Sequence, residues 1–443
     1  MRILIVGSGA REHAIAKALA ASPKNPTLFC CGTTKNPGIA LLTEDYWQGD
    51  IQSVPQVLAS IASWSIELAI IGPEAPLEQG LADALEKAGI ATVGPKKALA
   101  RIETSKSFTR ELFKTHAIPG SPRFKTFHQL TGVLDFLNAL GEGGYVIKAD
   151  GLMGGKGVKV AGDHLHSIKE AYQFCQLLHQ SGHAFVVEEK LIGQEFSMLC
   201  FCDGKRLVPM PLVQDNKRAF VGDKGPNTGG MGSYSLSDHR LPFVTEKDID
   251  DAGQINQAVI DALADVCQAP YHGILYGSFI ATRQGVSLIE YNARFGDPEA
   301  MNILSVLDSD FVDICVAITS GSLQKELVQF KTLATVCKYA VPLGYPDNPV
   351  TNVPIDVSGV QNKEALYFAA VNEKNGILYA TGSRAVAVVG IAPTLMAAEK
   401  AAEEDINRIQ GPLFHREDIG RDDLIHSRVK MMQDLRRKKQ GRS

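Results

Sequence analysis

The fold of the amino-terminal part is constrained most by a short apolar run that leads at once into glycines. Residues 3–6 read Ile-Leu-Ile-Val, which is typical of a strand buried on both faces, and Gly7-Ser8-Gly9 follows before a helical pattern. Similar apolar runs recur at residues 27–31, 68–71 and 91–93. Strands that alternate with helices form parallel sheets, which bind ligands at the carboxyl ends of their strands. We therefore expect a doubly wound α/β domain over residues 1–102.

The length of 443 residues exceeds what one hydrophobic core supports, so several domains are expected. From residue 103 onward, strand patterns are joined by short turns, which is typical of antiparallel α+β structure. Such strands are predicted at residues 145–148, 158–160, 185–188, 196–202, 273–281 and 286–291. The fold class is therefore multidomain, α/β and α+β. The later units are a domain at residues 103–325, a small β-rich carboxy-terminal domain at residues 326–430 and a basic tail at residues 431–443.

Composition and charge argue against several functional classes. A formal net charge of -4 gives no electrostatic case for binding nucleic acid. No window approaches the roughly 18 apolar residues of a membrane helix, and the first apolar run is too short for a signal peptide. The eight cysteines form no Cys-x-x-Cys pair, so neither a zinc site nor a redox dithiol is indicated. These features predict a cytoplasmic protein with reduced thiols, no nucleic-acid partner and no membrane association.

The glycine turn at the amino terminus is the first candidate binding site. Gly7-Ser8-Gly9 follows a strand, as in dinucleotide-binding proteins, and a nicotinamide-dependent oxidoreductase is one interpretation. That fingerprint requires a third glycine where Glu12 stands, and the second strand ends in a Cys-Cys-Gly sequence rather than in an acid. Two glycines at the start of a helix still favour a phosphate group. A phosphorylated substrate is the preferred interpretation, and a tight turn without a ligand is the alternative.

Two further glycine-rich loops lie in the middle of the chain. Lys148 ends a predicted strand, and residues 151–157 then contain four glycines and Lys156. Backbone N–H groups and lysines of such a loop can surround phosphates, although the Walker A spacing is absent. Residues 225–232 contain another four glycines, which indicates backbone that approaches a ligand or moves. An ordinary hairpin turn and a generic surface loop are the respective alternatives.

A charged segment at residues 188–195 follows a predicted apolar strand. Its extended backbone could face a flat base, and the carboxylate of Glu195 could accept hydrogen bonds from two ribose hydroxyls. A solvated charged turn is the alternative explanation of the same residues.

The strand at residues 286–291 leads into a candidate metal site. Glu290 and Asn292 point to the same face by the period of two, and they offer one carboxylate and one amide oxygen. Such hard ligands suit a Mg²⁺ ion that is also bound by phosphates. Arg294 follows on that face if the strand continues, and its planar guanidinium suits a carboxylate or a phosphoryl oxygen. An exposed edge strand would explain the alternation without a metal.

In this order the motifs resemble those of the ATP-grasp ligases, and more closely the phosphoribosylamine–glycine ligase family of purine biosynthesis. The resemblance runs along nearly the whole chain, as far as Asp418-Ile419-Gly420. It is carried by Gly7-Ser8-Gly9-Ala10-Arg11-Glu12-His13, Gly72-Pro73-Glu74-Ala75-Pro76-Leu77, Lys148-Ala149-Asp150-Gly151, Gly155-Lys156-Gly157, residues 225–232 and Asn292-Ala293-Arg294-Phe295-Gly296-Asp297-Pro298-Glu299. Two departures from the family pattern are Asn36, in a reordered Asn-Pro-Gly stretch, and Asn216, where the family has histidine.

The resemblance implies a fold and a set of site residues. The fold is a pre-ATP-grasp domain, an ATP-grasp domain and a small carboxy-terminal domain. The implied ATP-binding residues are Lys106, Lys148, Gly154, Gly155, Lys156, Gly157, Glu188, Glu189, Leu191 and Glu195, with the last on the ribose. The implied phosphoribosylamine side comprises Gly9, Arg11, Glu12, Gly72, Pro73 and Glu74. Glu290 and Asn292 would bind Mg²⁺ or Mn²⁺, Asp215 and Arg294 would place glycine or its acyl phosphate, and Arg294, Lys148 and Asp215 would be the catalytic residues.

The resemblance also implies the reaction. ATP is the co-substrate, glycine and 5-phosphoribosylamine are the other small-molecule partners, and glycyl phosphate is the intermediate on the way to glycinamide ribonucleotide, ADP and phosphate. A monomer is expected. The alternatives are another ATP-grasp carboxylate–amine ligase with a different substrate, the oxidoreductase suggested by the amino-terminal glycines, and a non-catalytic ATP-binding regulator.

Overall fold

The structure is a computed structural model that describes residues 1–153 and 157–437. The predicted ATP-binding residues Gly154, Gly155 and Lys156 lie outside the described residues, as do residues 438–443 of the predicted tail. In the described ranges, no helix combines the length and the apolar character that a membrane crossing requires.

The amino-terminal part is a parallel sheet with helices, and this confirms the doubly wound prediction. Its strands are β1 (Arg2–Val6), β2 (Thr27–Gly32), β3 (Asp45–Gln48), β4 (Leu68–Ile71) and β5 (Ala91–Val93), in the order β3-β2-β1-β4-β5. Its helices are α1 (Ala10–Ala20), α2 (Pro37–Ala40), α3 (Val54–Ile61), α4 (Glu74–Glu78), α5 (Leu81–Lys87) and α6 (Lys97–Thr104). Residues 3–6 are fully buried, as a central strand covered on both faces must be. The edge strand β3 is not predicted by the sequence, because its residues are half-buried or exposed and form no apolar run.

The next part forms a small sheet with its own core. It comprises α7 (Lys106–Thr115), β6 (Phe124–Phe127), α8 (Val133–Leu140), β7 (Tyr145–Ala149), β8 (Val158–Val160), α9 (Ile168–Gln180) and β9 (Phe185–Glu189). The strands have the order β6-β9-β7-β8, and their apolar cluster is separate from the main core of the molecule. This unit therefore has a hydrophobic core of its own beside the main one.

A second antiparallel sheet forms the other half of this central region. The elements are β10 (Gly193–Asp203), β11 (Leu207–Pro209), β12 (Gln214–Asp215), β13 (Arg218–Phe220), β14 (Lys224–Asn227), β15 (Gly232–Ser235), α10 (Glu246–Cys267), β16 (His272–Thr282), β17 (Val286–Asn292), α11 (Glu299–Ser305) and α12 (Phe311–Ser320). The sheet has the order β11-β10-β16-β17, and the long helix α10 packs against β16 and β17. The predicted antiparallel α+β character of this region is confirmed.

The carboxy-terminal part is rich in strands, as predicted. It contains β18 (Ala334–Pro342), β19 (Val353–Ile355), β20 (Leu366–Phe368), β21 (Val371–Lys374), β22 (Ile377–Ala380), β23 (Val386–Ala392), α13 (Leu395–Ile406), β24 (Leu413–Phe414) and α14 (Asp422–Arg437). The main sheet has the order β12-β15-β18-β23-β20. Because β12 and β15 come from the central region, this sheet crosses the predicted boundary between residues 325 and 326.

Hydrogen bonds fasten the carboxy-terminal part to the doubly wound domain. The amide N–H of Phe368 donates to Nδ1 of His13 at 3.0 Å, and burial together with Lys17 lowers the pKa of His13 to about 3, so this nitrogen stays an acceptor. Asn36 donates to the carbonyl oxygen of Phe368 at 2.7 Å, and its Oδ1 caps α2 by accepting from the amide of Gly38. The departure at Asn36 therefore has a structural role at the join between the domains.

Candidate functional site

One cavity of about 850 Å³ lies where the three parts of the molecule meet. This volume is in the range of small-molecule sites, and most of the predicted residues line it. Those residues are Arg11, Pro73, Glu74, Lys106, Lys148, Gly157, Glu188, Glu189, Leu191, Glu195, Asp215, Glu290, Asn292 and Arg294. Residues separated by up to 283 positions in sequence, from Arg11 to Arg294, are thus brought to one wall.

Three predicted substrate-binding residues, Gly9, Glu12 and Gly72, are not brought to the cavity wall. The carboxylate of Glu12 turns inward, accepts from the amide of Gly9 at 2.6 Å and pairs with Nε of Arg11 at 2.6 Å. A Cβ at Gly72 would lie 2.1 Å from that carboxylate, so glycine is required there. Glu12 and the two glycines therefore shape the turn that positions Arg11. The carboxylate of Glu12 also fills the space that the third glycine of a dinucleotide fingerprint leaves open.

Lys148, a predicted ATP-binding residue, belongs to a buried group of charges. The Oε1 and Oε2 of Glu188 accept from Nε and Nη2 of Arg110 at 2.6 and 3.0 Å, and Nζ of Lys148 lies 2.9 Å from the same Oε2. Although burial disfavours its charge, Arg110 and Lys148 lower the pKa of Glu188 to about 2. The ionised carboxylate of Glu188 thus holds Lys148 in place. Of Glu188, only the backbone would be available to the predicted adenine ring.

Glu290 and Asn292 lie on β17 as the pattern predicts, and both line the cavity. Neither side chain receives a hydrogen bond from another residue within the described ranges. Burial disfavours the charge of Glu290, but Lys217 and Lys148 lower its pKa, so the carboxylate is ionised. Within the same ranges, no group of three or more His, Cys, Asp or Glu side chains could hold a metal ion. One carboxylate and one amide oxygen nevertheless fit a divalent cation whose other ligands are phosphate oxygens.

Arg294 lies beyond the end of β17, because that strand ends at Asn292. The expectation that it shares the strand face of Glu290 therefore fails, yet the guanidinium still lines the cavity. Its Nε lies 3.2 Å from Glu74 and its Nη2 lies 2.9 Å from Glu103. Arg294 is thus positioned by two carboxylates of the first domain and its border, and not by the strand.

Glu103 is a cavity residue that is not among the predicted ones. Its second oxygen accepts from the amide of Ala293 at 2.7 Å. Burial raises its pKa to about 7 despite the nearby Arg294, whereas the pKa of Glu74 is lowered to about 2, since Arg294 and Arg11 overcome the effect of burial. One guanidinium therefore contacts one permanently ionised acid and one acid that titrates near neutral pH. A single glutamate at a helix end carries no sequence pattern that could have revealed it.

Asp215 faces the cavity with an unsatisfied oxygen. Its Oδ1 is buried and has no hydrogen-bond partner in the described part of the chain. Burial and the nearby Glu299 raise its pKa well above the ordinary value. The approach of Gly230 is close enough that a Cβ there would lie 2.6 Å from this oxygen. A cationic donor such as the ammonium group of an amino acid would favour the ionised form of this acid and would supply the missing hydrogen bond.

Arg384 brings the carboxy-terminal domain into the site and is also absent from the predicted set. Its Nη1 donates to the carbonyl oxygens of Gly230 and Asp297, both at 3.0 Å, and its Nη2 lies 3.2 Å from the Asp297 carboxylate. The guanidinium carbon stands 4.5 Å from the ring centre of Tyr339. Arg384 therefore ties the second glycine-rich loop to the segment that follows Arg294.

Lys217 is a further cation of the cavity beyond the predicted residues. Its Nζ lies 3.5 Å from the carboxylate of Glu195, the predicted ribose ligand, and its charge lowers the pKa of Glu290. Like Lys148 and Lys106, it supplies positive charge that favours the ionised form of Glu290. The sequence could have indicated Lys217 as a site residue, because Lys217 and Arg218 stand just before the second glycine-rich loop.

Three family models match the chain in succession. They are described as the N domain, the ATP-grasp (A) domain and the C domain of phosphoribosylglycinamide synthetase, and they match residues 1–103, 104–300 and 335–422. The chain belongs to this family. The predicted family, the multidomain α/β and α+β fold and the assignment as an ATP-dependent ligase are thereby confirmed.

Named relatives and solved structures agree with the family. The phosphoribosylamine–glycine ligase of Methanocella arvoryzae is 46% identical over 437 residues, which is 98% of this chain and 100% of that protein. The one from Methanococcoides burtonii is 48% identical, over 99% of this chain and 100% of that protein. The crystal structure of the Thermotoga maritima enzyme has a TM-score of 0.80 at 27% identity, over 94% and 100% of the two chains. A biotin carboxylase domain from Hydrogenobacter thermophilus, with a TM-score of 0.73 at 12% identity, covers 98% of this chain and 94% of its own, and shares the fold alone.

Proposed function

We propose that the chain joins the carboxylate of glycine to the amine of 5-phosphoribosylamine at the expense of ATP. The products are glycinamide ribonucleotide, ADP and phosphate. The observation that carries this proposal is the ion pair between Arg294 and Glu74, because it joins the predicted phosphoribosylamine side to the predicted glycine side in one cavity. The relatives that match this chain over nearly its whole length are named for the same ligation.

The reaction has two steps in which atoms and charge balance. A carboxylate oxygen of glycine attacks the γ-phosphorus of ATP, the bond to the bridging oxygen of ADP breaks, and glycyl phosphate forms. The amine of phosphoribosylamine then attacks the carbonyl carbon, the bond to the phosphate oxygen breaks, and the amine loses a proton. No side-chain nucleophile is needed, so the protein acts by positioning the reactants and by neutralising charge.

The cations of the cavity are suited to stabilise the negative charge on the phosphate oxygens during the first step. The pKa of Glu290 is lowered by the charges of Lys217, Lys148 and Lys106. We assign the two predicted lysines, Lys106 and Lys148, to the phosphates of ATP. Glu290 and Asn292 would hold a divalent cation, Mg²⁺ or Mn²⁺, whose charge would neutralise phosphate oxygens when it is bound. ATP use and a divalent metal are general properties of ATP-grasp ligases, and the choice between the two ions is part of this proposal.

Glycine is assigned to the space between Asp215 and Arg294. The unpartnered Oδ1 of Asp215 would accept from the ammonium group of glycine, and Arg294 would contact the carboxylate and then the acyl phosphate. Arg11 and Glu74, with Pro73, are assigned to phosphoribosylamine, on the opposite side of Arg294. The backbone of residues 188–191 would face adenine, and Glu195 would accept from the ribose.

An isotope experiment tests both the substrates and the route. The purified protein would receive ATP, phosphoribosylamine formed in the assay from ribose 5-phosphate and ammonia, and glycine labelled with ¹⁸O in its carboxylate. We expect one ¹⁸O atom in each released phosphate, because the phosphate leaves with a glycine oxygen. Unlabelled phosphate would overturn the acyl-phosphate route, and ADP formation without dependence on glycine would overturn the choice of amino acid. Reactions with alanine and serine serve as matched controls.

We further infer that the protein acts in the cytoplasm and as a monomer, with domains at residues 1–102, 103–325 and 326–430 and a basic tail at residues 431–443. A family model boundary at residue 103 supports the first border. Sedimentation of the purified chain tests the monomer, since a dimer would sediment faster at every protein concentration above its dissociation constant.

A further inference from the structure

The last helix of the described chain reaches the wall of the cavity although none of its residues belongs to a sequence motif. The family model of the C domain ends at residue 422, where α14 begins, so the helix lies beyond the part that the family model matches. Most of its polar side chains are exposed, as on any charged surface helix. Arg428 is an exception, since it is 6% exposed and lines the cavity.

The guanidinium of Arg428 holds the residues on both sides of Asp215. Its Nη1 donates to Oε1 of Gln214 at 2.7 Å, and its Nη2 donates to Oδ1 of Asn216 at 2.7 Å. The same Nη2 lies 3.0 Å from the carboxylate of Asp223, which follows β13. A planar, forked donor can bridge several acceptors in this way, whereas a lysine offers only one point of charge.

The two side chains that Arg428 holds are also fixed by other residues. The Oε1 of Gln214 accepts from the hydroxyl of Tyr234 at 2.5 Å as well, and Asn216 donates from Nδ2 to the carbonyl oxygen of Gly232 at 3.2 Å. Asp215, the last residue of β12, therefore lies between two anchored neighbours. The side chain of Asn216 thus supplies an uncharged oxygen that accepts from Arg428.

We propose that Arg428 is a positioning residue for the ligation: through Gln214 and Asn216 it sets the place of the Asp215 carboxylate, and so the binding of glycine. The proposal rests on the proposed role of Asp215 in holding the glycine ammonium group. Arg428 does not touch glycine in this scheme, and it acts only through the strand that carries Asp215. A side chain displaced by a fraction of an ångström binds a small ligand such as glycine markedly less well, because that ligand has few other contacts.

A pair of substitutions on the same helix tests this role. In Arg428→Met the KM for glycine is expected to rise about tenfold or more, as the loss of charge-assisted hydrogen bonds implies, while the KM for ATP changes less. The smaller effect on ATP is expected because the link from Gln214 to the predicted ATP site is a hydrogen bond from its Nε2 to the carbonyl oxygen of Glu195, at 2.9 Å. The control is Arg436→Met, since Arg436 bonds to Asp248 at 2.7 Å, away from the cavity, and equally fastens α14 to the molecule.

The outcomes distinguish a role of Arg428 in positioning Asp215 from a role in packing α14 against the rest of the molecule. A raised glycine KM in Arg428→Met with a near-normal one in Arg436→Met supports the proposal. Equal changes in the two variants, or equal changes in the KM values for glycine and ATP, overturn it and leave the proposed function standing. Absence of glycine-dependent ADP formation in the unaltered protein overturns the proposed function as well. If Arg428→Met does not fold, Arg428→Lys decides: an intermediate glycine KM supports the role, and a normal one overturns it.

Discussion

The carboxylate of Glu103 lies 2.9 Å from Nη2 of Arg294, so an acid at the end of α6 positions the guanidinium that faces the predicted glycine site. Arg294 is held on its other side by Glu74. Burial raises the pKa of Glu103 to about 7, and Glu74 stays ionised with a pKa of about 2, against the effect of burial, because Arg294 and Arg11 lie beside it. Charge around Arg294 therefore depends on one group that titrates in the physiological range.

The raised pKa of Glu103 predicts a specific dependence of stability on pH. The folded protein keeps a proton that the unfolded chain, with an ordinary pKa of 4.5, releases. The free energy of unfolding therefore falls as the pH rises from about 4.5 to about 7, by an amount on the order of 3 kcal/mol for this group. In Glu103→Gln that fall should be reduced, as urea unfolding at several pH values would show. Glu111→Gln, an exposed acid on α7, is the control, and equal pH profiles for both variants would contradict the assignment.

Glu290→Gln is expected to lose most of its activity while the fold stays intact. The amide is a weaker ligand for a hard divalent cation, and it removes the charge that Lys217 and Lys148 surround. The measurement is activity against Mg²⁺ and Mn²⁺ concentration, together with the melting temperature. Near-normal turnover at low Mg²⁺ would show that Glu290 is not a metal ligand. The same change at Glu373, an exposed residue of β21, should leave the metal dependence unchanged.

The structure shows why the linear motifs were predictable and several partners were not. The strand at residues 3–6 and the Glu290–Asn292 pair are set by neighbours in sequence, through burial on both faces and the period of two. Glu103 and Arg384 act on residues 190 and 154 positions away, Ala293 and Gly230, and such contacts leave no local pattern.

Two helices show the same limit of local sequence patterns at the level of the fold. The helix α10 is long and carries buried residues at helical spacing, such as Ala252, Ile255 and Val259. The many polar residues between them obscure this apolar pattern in the sequence. The helix α14 lies partly in what the sequence predicts to be a basic tail. Its charges indicate a solvated helix end, and only the three-dimensional contacts of Arg428 show that one of them points inward.

Arg11→Ala is expected to weaken phosphoribosylamine binding more than ATP binding. Arg11 is fixed by Glu12 and by the carbonyl oxygen of Phe295 at 3.3 Å, and it lines the cavity on the side of Glu74, away from the lysines assigned to ATP. Loss of a guanidinium that contacts a phosphate or an anion costs roughly 1.5–3 kcal/mol, which is about tenfold or more in the KM. Steady-state kinetics with each substrate varied would measure this. Equal changes in both KM values would remove the assigned role.

Arg384→Ala is expected to uncouple ATP consumption from product formation. Arg384 holds the carbonyl oxygen of Gly230 and the backbone and carboxylate of Asp297, so its loss frees the second glycine-rich loop beside Asp215. A loop that closes less well admits water to the acyl phosphate, which then hydrolyses to glycine and phosphate instead of meeting the amine.

The ratio of ADP to glycinamide ribonucleotide is therefore the decisive measurement for Arg384→Ala. We expect a ratio above one and a fall in kcat for product of about a hundredfold, the size that misplacement by about one ångström produces. The surface residue Arg240, which pairs with solvent-exposed Glu246 and lies near Asp238, provides the control as Arg240→Ala, with a ratio of one. A lowered kcat with a ratio that stays at one would mean that Arg384 positions reactants without excluding water. In that case the carboxy-terminal domain would complete the cavity wall and position the reactants without shielding the intermediate from water.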